Sequence, residues 1–181
     1  MAENLNEIIA GCKDRQKDAF SQLIEMYGKR LYGYFYRLTG RADISDELLS
    51  EMFLKLVEKI DSYRDGSFDI WLFTIATNVF RDHLRARRRE KKFLAWKERQ
   101  ILADSDSGSD SSNYATDRMQ VSLEKLDEET RELLVLRYYS QLGFREIAEM
   151  RSLPIGTVLS KVHRGLNKLR ELMEEEMQDF W

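Results

Sequence analysis

Apolar residues recur at intervals of three and four along most of the chain, a spacing that predicts helices rather than strands. Leu5, Ile8, Ile9, Ala19, Phe20, Leu23 and Ile24 place one or two helices near the start, with a break expected near Gly11. Aromatics then thicken at Tyr32, Tyr34, Phe35 and Tyr36, as in a core whose hydroxyl tips reach polar partners. Gly40 is expected to end that helix. The next one alternates faces clearly. Ile44, Leu48, Leu49, Met52, Phe53, Leu56, Val57 and Ile60 point inward, and Asp46, Glu47, Ser50, Glu51 and Glu58 point outward. Asp43 or Ser45 is placed to cap it. The polar stretch 61–67 reads as a loop. From Phe68 to Leu84 the apolar positions are too many for one stripe, so this helix is buried nearly all round or exposes aromatics.

Periodicity resumes at Ser122 and runs to Tyr139, interrupted at Leu126-Asp127-Glu128-Glu129-Thr130, which has capping potential. A helix-turn-helix pattern follows. Phe144, Ile147 and Ala148 form one apolar face, with Ala148 small where a second helix must cross. Leu153-Pro154 breaks the pattern, and proline suits the first turn of a new helix. Ile155, Val158 and Val162 form the next apolar face. Thr157, Ser160, Lys161, Arg164 and Lys168 fall mostly opposite. A short helix that is apolar inward and hydroxylic or basic outward suits the major groove of DNA. A plain solvated helical hairpin has the same pattern.

Composition narrows these readings. One proline and nine glycines in 181 residues favour an all-α fold over a turn-rich β fold. At 43% hydrophobic and 34% charged, the chain can bury a core. Residues 103–117 cannot, being mostly Asp, Ser and Gly, and read as a flexible acidic linker. The expected organisation is therefore two small helical domains, 1–95 and 118–181, joined by a linker at 96–117. A lone cysteine, Cys12, excludes a disulfide framework and reads as a small buried residue. His83 and His163 lie far apart, so neither a metal site nor a cofactor is expected. The polar start lacks a signal-peptide pattern and no apolar run spans a bilayer, so a cytoplasmic location without membrane insertion is expected.

A formal net charge of −3 argues against nucleic-acid binding only if charge is spread evenly, and here it is not. Arg81, Arg85, Arg87, Arg88, Arg89, Lys91 and Lys92 form a dense basic run beside aromatics, an arrangement that suits single-stranded nucleic acid. Thr74, Asn78, Arg81 and Arg85 share a helix face. The carboxylates Asp46, Glu47 and Glu51 sit on an open helix with no nearby His, Cys or Gly-rich loop. They read as a solvated face or a docking surface for a basic partner rather than a catalytic or metal-binding group.

In order and spacing these segments resemble the extracytoplasmic-function (ECF) sigma factors, the small two-domain class of bacterial transcription initiation factors. Asp46 to Leu56 is similar to the family's polymerase-docking helix, Phe68 to Arg85 with the arginine run to its promoter-melting helix, and Leu126 to Arg164 to its C-terminal helix-turn-helix domain. The resemblance implies a non-enzymatic factor that binds core RNA polymerase at its clamp and flap and nucleates strand opening. Asp46, Glu47, Leu49, Glu51 and Lys55 would bind the polymerase. Tyr63, Phe68, Trp71, Thr74 and Asn78 would capture a flipped base at the minus-ten element, with Arg81, Arg85, Arg87 and Arg88 on phosphates. Thr157, Ser160, Lys161, His163, Arg164 and Lys168 would read the minus-thirty-five duplex. The resemblance also implies an anti-sigma protein as partner. Three positions depart from the family pattern. Ser152 replaces a turn glycine, Leu159 a basic residue and Thr74 an arginine. The alternatives are a dimeric helix-turn-helix regulator, which leaves Phe68 to Arg89 unexplained, and a nucleic-acid enzyme using Asp46, Glu47 and Glu51.

Overall fold

The computed structural model describes residues 2–100 and 118–178, and every regular element among them is helical. The N-terminal domain comprises α1 (Ala2–Lys13), α2 (Lys17–Thr39), α3 (Ala42–Lys59), a 3₁₀ turn at Ile60–Ser62 and α4 (Phe68–Gln100). The C-terminal domain comprises α5 (Arg118–Glu124), α6 (Glu128–Leu134), a π turn at Val135–Tyr139, α7 (Phe144–Arg151) and α8 (Ile155–Gln178). α4 continues past the boundary expected at residue 95, and the acidic stretch 103–117 and the terminal Phe180-Trp181 lie outside the described residues.

Several local expectations are met. Gly40 ends α2 at φ 67°, with its N–H on the Tyr36 carbonyl. Asp127 caps α6 by accepting from the Thr130 N–H at 3.0 Å. Burial pushes the Asp127 carboxyl up, but the Thr130 N–H and hydroxyl outweigh it and bring it below its usual range. Ser152 ends α7 in the left-handed region, at φ 51° and ψ 41°, which a residue other than glycine adopts at some cost.

Others are corrected. Gly11 lies inside α1, and the break falls at residues 14–16. A Cβ at Gly11 would come within 2.8 Å of the Ala19 side chain, so this glycine serves the α1–α2 crossing rather than a turn. α3 is preceded by Arg41, which makes no side-chain cap. Buried Ser45 instead donates back to the Arg41 carbonyl at 2.6 Å. Val57, expected inside, is 39% exposed.

Leu31, Tyr34 and Phe35 of α2 and Leu72 and Phe73 of α4 are fully buried. Tyr34 and Phe73 meet edge-on at 5.6 Å, and the Tyr34 hydroxyl bonds Thr77 at 3.2 Å. Burial raises the Tyr34 phenol far above its usual value. α4 is thus buried nearly all round over its first three turns, which explains its excess of apolar residues. Cys12 is fully buried, and burial raises its thiol.

The two domains pack against each other through α2 and α4. The Arg131 guanidinium donates to the carbonyls of Leu38 at 3.0 Å, Glu124 at 3.0 Å and Leu126 at 3.1 Å. One cation therefore gathers carbonyls left over at the ends of α2 and α5, where helix dipoles favour positive charge. Arg30 bridges Asp69 of α4 and the Ser140 carbonyl, and lies 4.9 Å over the Phe73 ring. At Gly33 a Cβ would come within 2.7 Å of the Tyr139 ring, so a side chain there would have to displace that ring from the approach of α2 to the π turn.

Candidate nucleic-acid interface

Two helices carry the features that suit nucleic acid. On α4, Trp71, Thr74, Asn78, Arg81, Arg85 and Arg88 follow one another at spacings of three and four, so they form one stripe. The stripe begins on an aromatic platform. Tyr63 and Phe68 meet edge-on at 5.2 Å, and Trp71 lies 5.4 Å from both. Tyr63 and Phe68 are 9% and 4% exposed, so they support the platform, while half-buried Trp71 forms its rim. The Tyr63 hydroxyl donates to the Gly66 carbonyl at 2.8 Å, and Lys13 donates to the Tyr63 carbonyl at 2.8 Å. These bonds brace the 63–67 loop on itself and against α1. Thr74 is half-buried, with its hydroxyl on the Ile70 carbonyl at 2.7 Å, and Asn78 is exposed.

The far end of the stripe meets the C-terminal domain. Arg88 pairs with Glu128 at 2.5 Å, and Arg81 approaches Glu132 at 4.0 Å. Glu132 is buried and forms an ion pair with equally buried Arg151. Arg85 turns back to Asp82 at 2.9 Å, and Arg87 is exposed. The cleft between the domains is lined by Arg81, Arg85, Arg88 and Arg151 and by Asp127, Glu128, Glu129 and Glu132, four charges of each sign. The sequence reading missed the carboxylates here. The only signal was their clustering at the start of α6, where acidic residues are favoured for capping anyway.

α8 follows the αL turn at Ser152, and its exposed arc holds Ile155, Gly156, Leu159, Ser160, His163, Arg164 and Lys168. Ser160 bonds the Thr157 carbonyl at 3.0 Å, Arg164 the Ser160 carbonyl at 3.3 Å, and Lys168 sits 3.4 Å from Glu171. Thr157 is half-buried at the edge of the arc. Lys161 lies outside it, paired with Glu129. Ile155, expected on the inner face, is 42% exposed, and Leu159 is 43% exposed. Val158 and Val162 lie on the inner face as expected, joined there by Leu172.

On α3, Asp46, Glu47 and Glu51 are exposed, Leu49 is half-buried, and Lys55 lies 3.4 Å from Glu51. Leu54 is 66% exposed on the same side, a position the sequence reading did not single out. The outward face of α3 is therefore acidic with an apolar element. His83 of α4 is half-buried beneath it. Burial and Arg87 lower its imidazole, against an opposing effect of Glu47 and Glu51. Among the described residues no cluster of His, Cys, Asp or Glu could hold a metal ion, and no helix is long and apolar enough to cross a membrane.

Comparison with known proteins bears on both halves. The family models for Sigma-70 region 2 and Sigma-70 region 4 match residues 23–90 and 116–169. The ECF RNA polymerase sigma factor EcfG of Rhodopseudomonas palustris is 31% identical over 144 residues, covering 79% of this chain and 78% of that protein. The chain belongs to the ECF sigma factors. SigW of Bacillus subtilis, another ECF RNA polymerase sigma factor, is 29% identical over 174 residues, covering 90% of this chain and 93% of its own. The sigma factor RpoE of Bartonella quintana, solved in complex with the anti-sigma factor NepR, superposes with a TM-score of 0.69 at 26% identity, covering 86% of this chain and 96% of its own. The present sigma factor directs RNA polymerase to promoters for transcription initiation.

Proposed function

We propose that the sigma factor divides its work among three surfaces on two domains, joined by an acidic linker that follows α4 at residues 101–117. Asp46, Glu47, Leu49, Glu51 and Lys55, with Leu54, dock on core polymerase, an acidic surface meeting a basic one. Trp71, Thr74 and Asn78 receive an unstacked base of the minus-ten element, and Arg81, Arg85, Arg87 and Arg88 hold the phosphates beside it. Extruding a base costs a few kcal/mol, which stacking on an aromatic rim of about 1–3 kcal/mol per base can offset. Tyr63 and Phe68 position Trp71 from below. Ser160, His163, Arg164 and Lys168, with Thr157 at the margin, face the minus-thirty-five duplex. Lys161 contributes once its pairing with Glu129 is released. The sigma factor adds no catalytic group, and the polymerase performs the chemistry. It works in the cytoplasm, where an anti-sigma protein is a fitting partner for the same surfaces.

The observation that carries this reading is the single stripe on α4, aromatic at one end and cationic at the other. The test is run-off transcription with bacterial core polymerase on a genomic promoter library, with and without the protein. Promoter-specific transcripts that require it are expected. Asn78→Ala is expected to impair strand opening, read by permanganate reactivity of unpaired thymines, more than holoenzyme assembly. Equal loss of both would make Asn78 a structural residue. Duplex binding by the protein alone, with no dependent transcript, would overturn the reading in favour of a free-standing regulator.

A further inference from the structure

The exposed arc of α8 has two unlike flanks. Ser160, Arg164 and Lys168 lie on one, and Ile155 and Leu159, one turn apart, lie on the other, with His163 between. Ile155 and Leu159 are 42% and 43% exposed, whereas Val158 and Val162 on the same helix are sealed at 0% and 1%. The aliphatic flank is partly open to solvent. It is continuous with a hydroxyl and cationic flank, and it occupies the first two turns after the helix-turn-helix bend, the part of a recognition helix that reaches base edges. In the major groove the one apolar feature on a base edge is the C5-methyl of thymine.

We propose that Leu159 and Ile155 are specificity-determining residues that read thymine methyl groups in the minus-thirty-five element. This rests on the assignment of α8 to the minus-thirty-five duplex. The two side chains are separated by about 6 Å of helix rise, against a base step of about 3.4 Å, so they reach thymines on neighbouring or next-neighbouring pairs. Lys168, at the far end of the opposite flank, sets the register through a phosphate. The promoter preference is thus weighted toward A·T pairs on the side of the element that faces Leu159.

The test replaces each thymine of the minus-thirty-five element with deoxyuridine, which removes only the methyl group. Promoter affinity is measured for holoenzyme carrying the wild-type protein, Leu159→Ala, Ile155→Ala or Arg164→Ala. Loss of one buried methyl is expected to weaken wild-type binding about fourfold. Leu159→Ala or Ile155→Ala is expected to abolish the sensitivity at its own thymine and leave the other unchanged. If Arg164→Ala weakens binding but no deoxyuridine does, α8 reads the element and the methyl contact falls. If the sensitivity persists in both alanine variants, another residue reads the methyl and the proposal falls. An element without an A·T pair overturns it as well. If the two aliphatic variants impair holoenzyme assembly instead of promoter affinity, the flank is a protein-docking surface. If Arg164→Ala, Leu159→Ala and Ile155→Ala all bind the promoter as wild type does, the assignment of α8 itself fails.

Discussion

Along α4 the cationic stripe runs into the carboxylates of the other domain, whereas on α8 the exposed arc faces water. Arg88 and Arg81 meet Glu128 and Glu132. Arg164 spans only its own helix. Each helix alone has the chemistry for nucleic acid. In this arrangement a phosphate at Arg88 must displace a carboxylate, and one at Arg164 need not. The ion pairs lining this cleft are also unequal. Arg88 and Glu128 have side chains 68% and 39% exposed, so water and salt screen their attraction. Glu132 and Arg151 are 5% and 8% exposed, so their attraction is poorly screened and their desolvation is costly. The buried pair links α6 to α7 within the C-terminal domain, and the exposed pair is a contact that salt or phosphate can exchange.

Removing the buried partner gives the largest expected effect. Arg151→Met leaves Glu132 buried with only Arg81 nearby, and is expected to cost the C-terminal domain about 3–5 kcal/mol. Urea unfolding followed separately in each domain reads it, and an unchanged C-terminal transition would show that the pairing with Arg151 does not stabilise the domain. Next is the domain contact itself. Gly33→Leu places side-chain atoms where the Tyr139 ring now lies and is expected to weaken the packing by about 1–3 kcal/mol. Small-angle scattering should show an expanded molecule, and single-stranded DNA should bind the free protein more tightly. An unexpanded variant would mean that Tyr139 simply turns aside.

The open helix should behave in the opposite way. Arg164→Ala is expected to leave the unfolding midpoint unchanged and to cost about 1–3 kcal/mol of promoter binding if the guanidinium makes a bidentate base contact. Unchanged promoter preference would sink that contact. Asp127→Ala removes the cap under the acidic turn and is expected to cost about 1 kcal/mol at neutral pH. Because the folded carboxyl titrates below its ordinary value, the wild-type advantage is full above the unfolded value and fades as pH falls through the lower, folded one. Urea midpoints of the two proteins between neutral and acid pH should therefore converge only at the acid end. Smallest is Glu128→Gln, which touches an exposed pair worth about 0–1 kcal/mol. It should leave stability unchanged and raise single-stranded DNA affinity at low salt. An increase that persists at high salt would point to a cause other than the Arg88 pairing.

Much of the fold is local in origin and therefore legible in the sequence. Helix spacing, the αL glycine at Gly40, the Asp127 cap and the strained Ser152 turn each depend on residues within one or two turns. The same holds for the stripe on α4, because spacings of three and four place its residues on one face whatever lies around it. The misreadings concern packing: the glycine at position 11 and the helical period at Val57 and Ile155 say nothing of which neighbours those positions meet. Gly11 answers to Ala19 in the next helix, and Ile155 sits where the inner stripe of α8 has already rotated away from the core.

The sequence by itself determined the all-α class, the order of the helices, the acidic face of α3 and the two cationic helices, since all of these follow from side-chain period and charge. Only the tertiary structure decided which of those cations are already engaged. The Arg131 clasp spans from residue 131 to residue 38, Arg30 reaches across to Ser140, and Arg88 meets Glu128 forty positions away. Such pairings depend on how two domains meet in space, and that is a property of packed surfaces which no local pattern encodes.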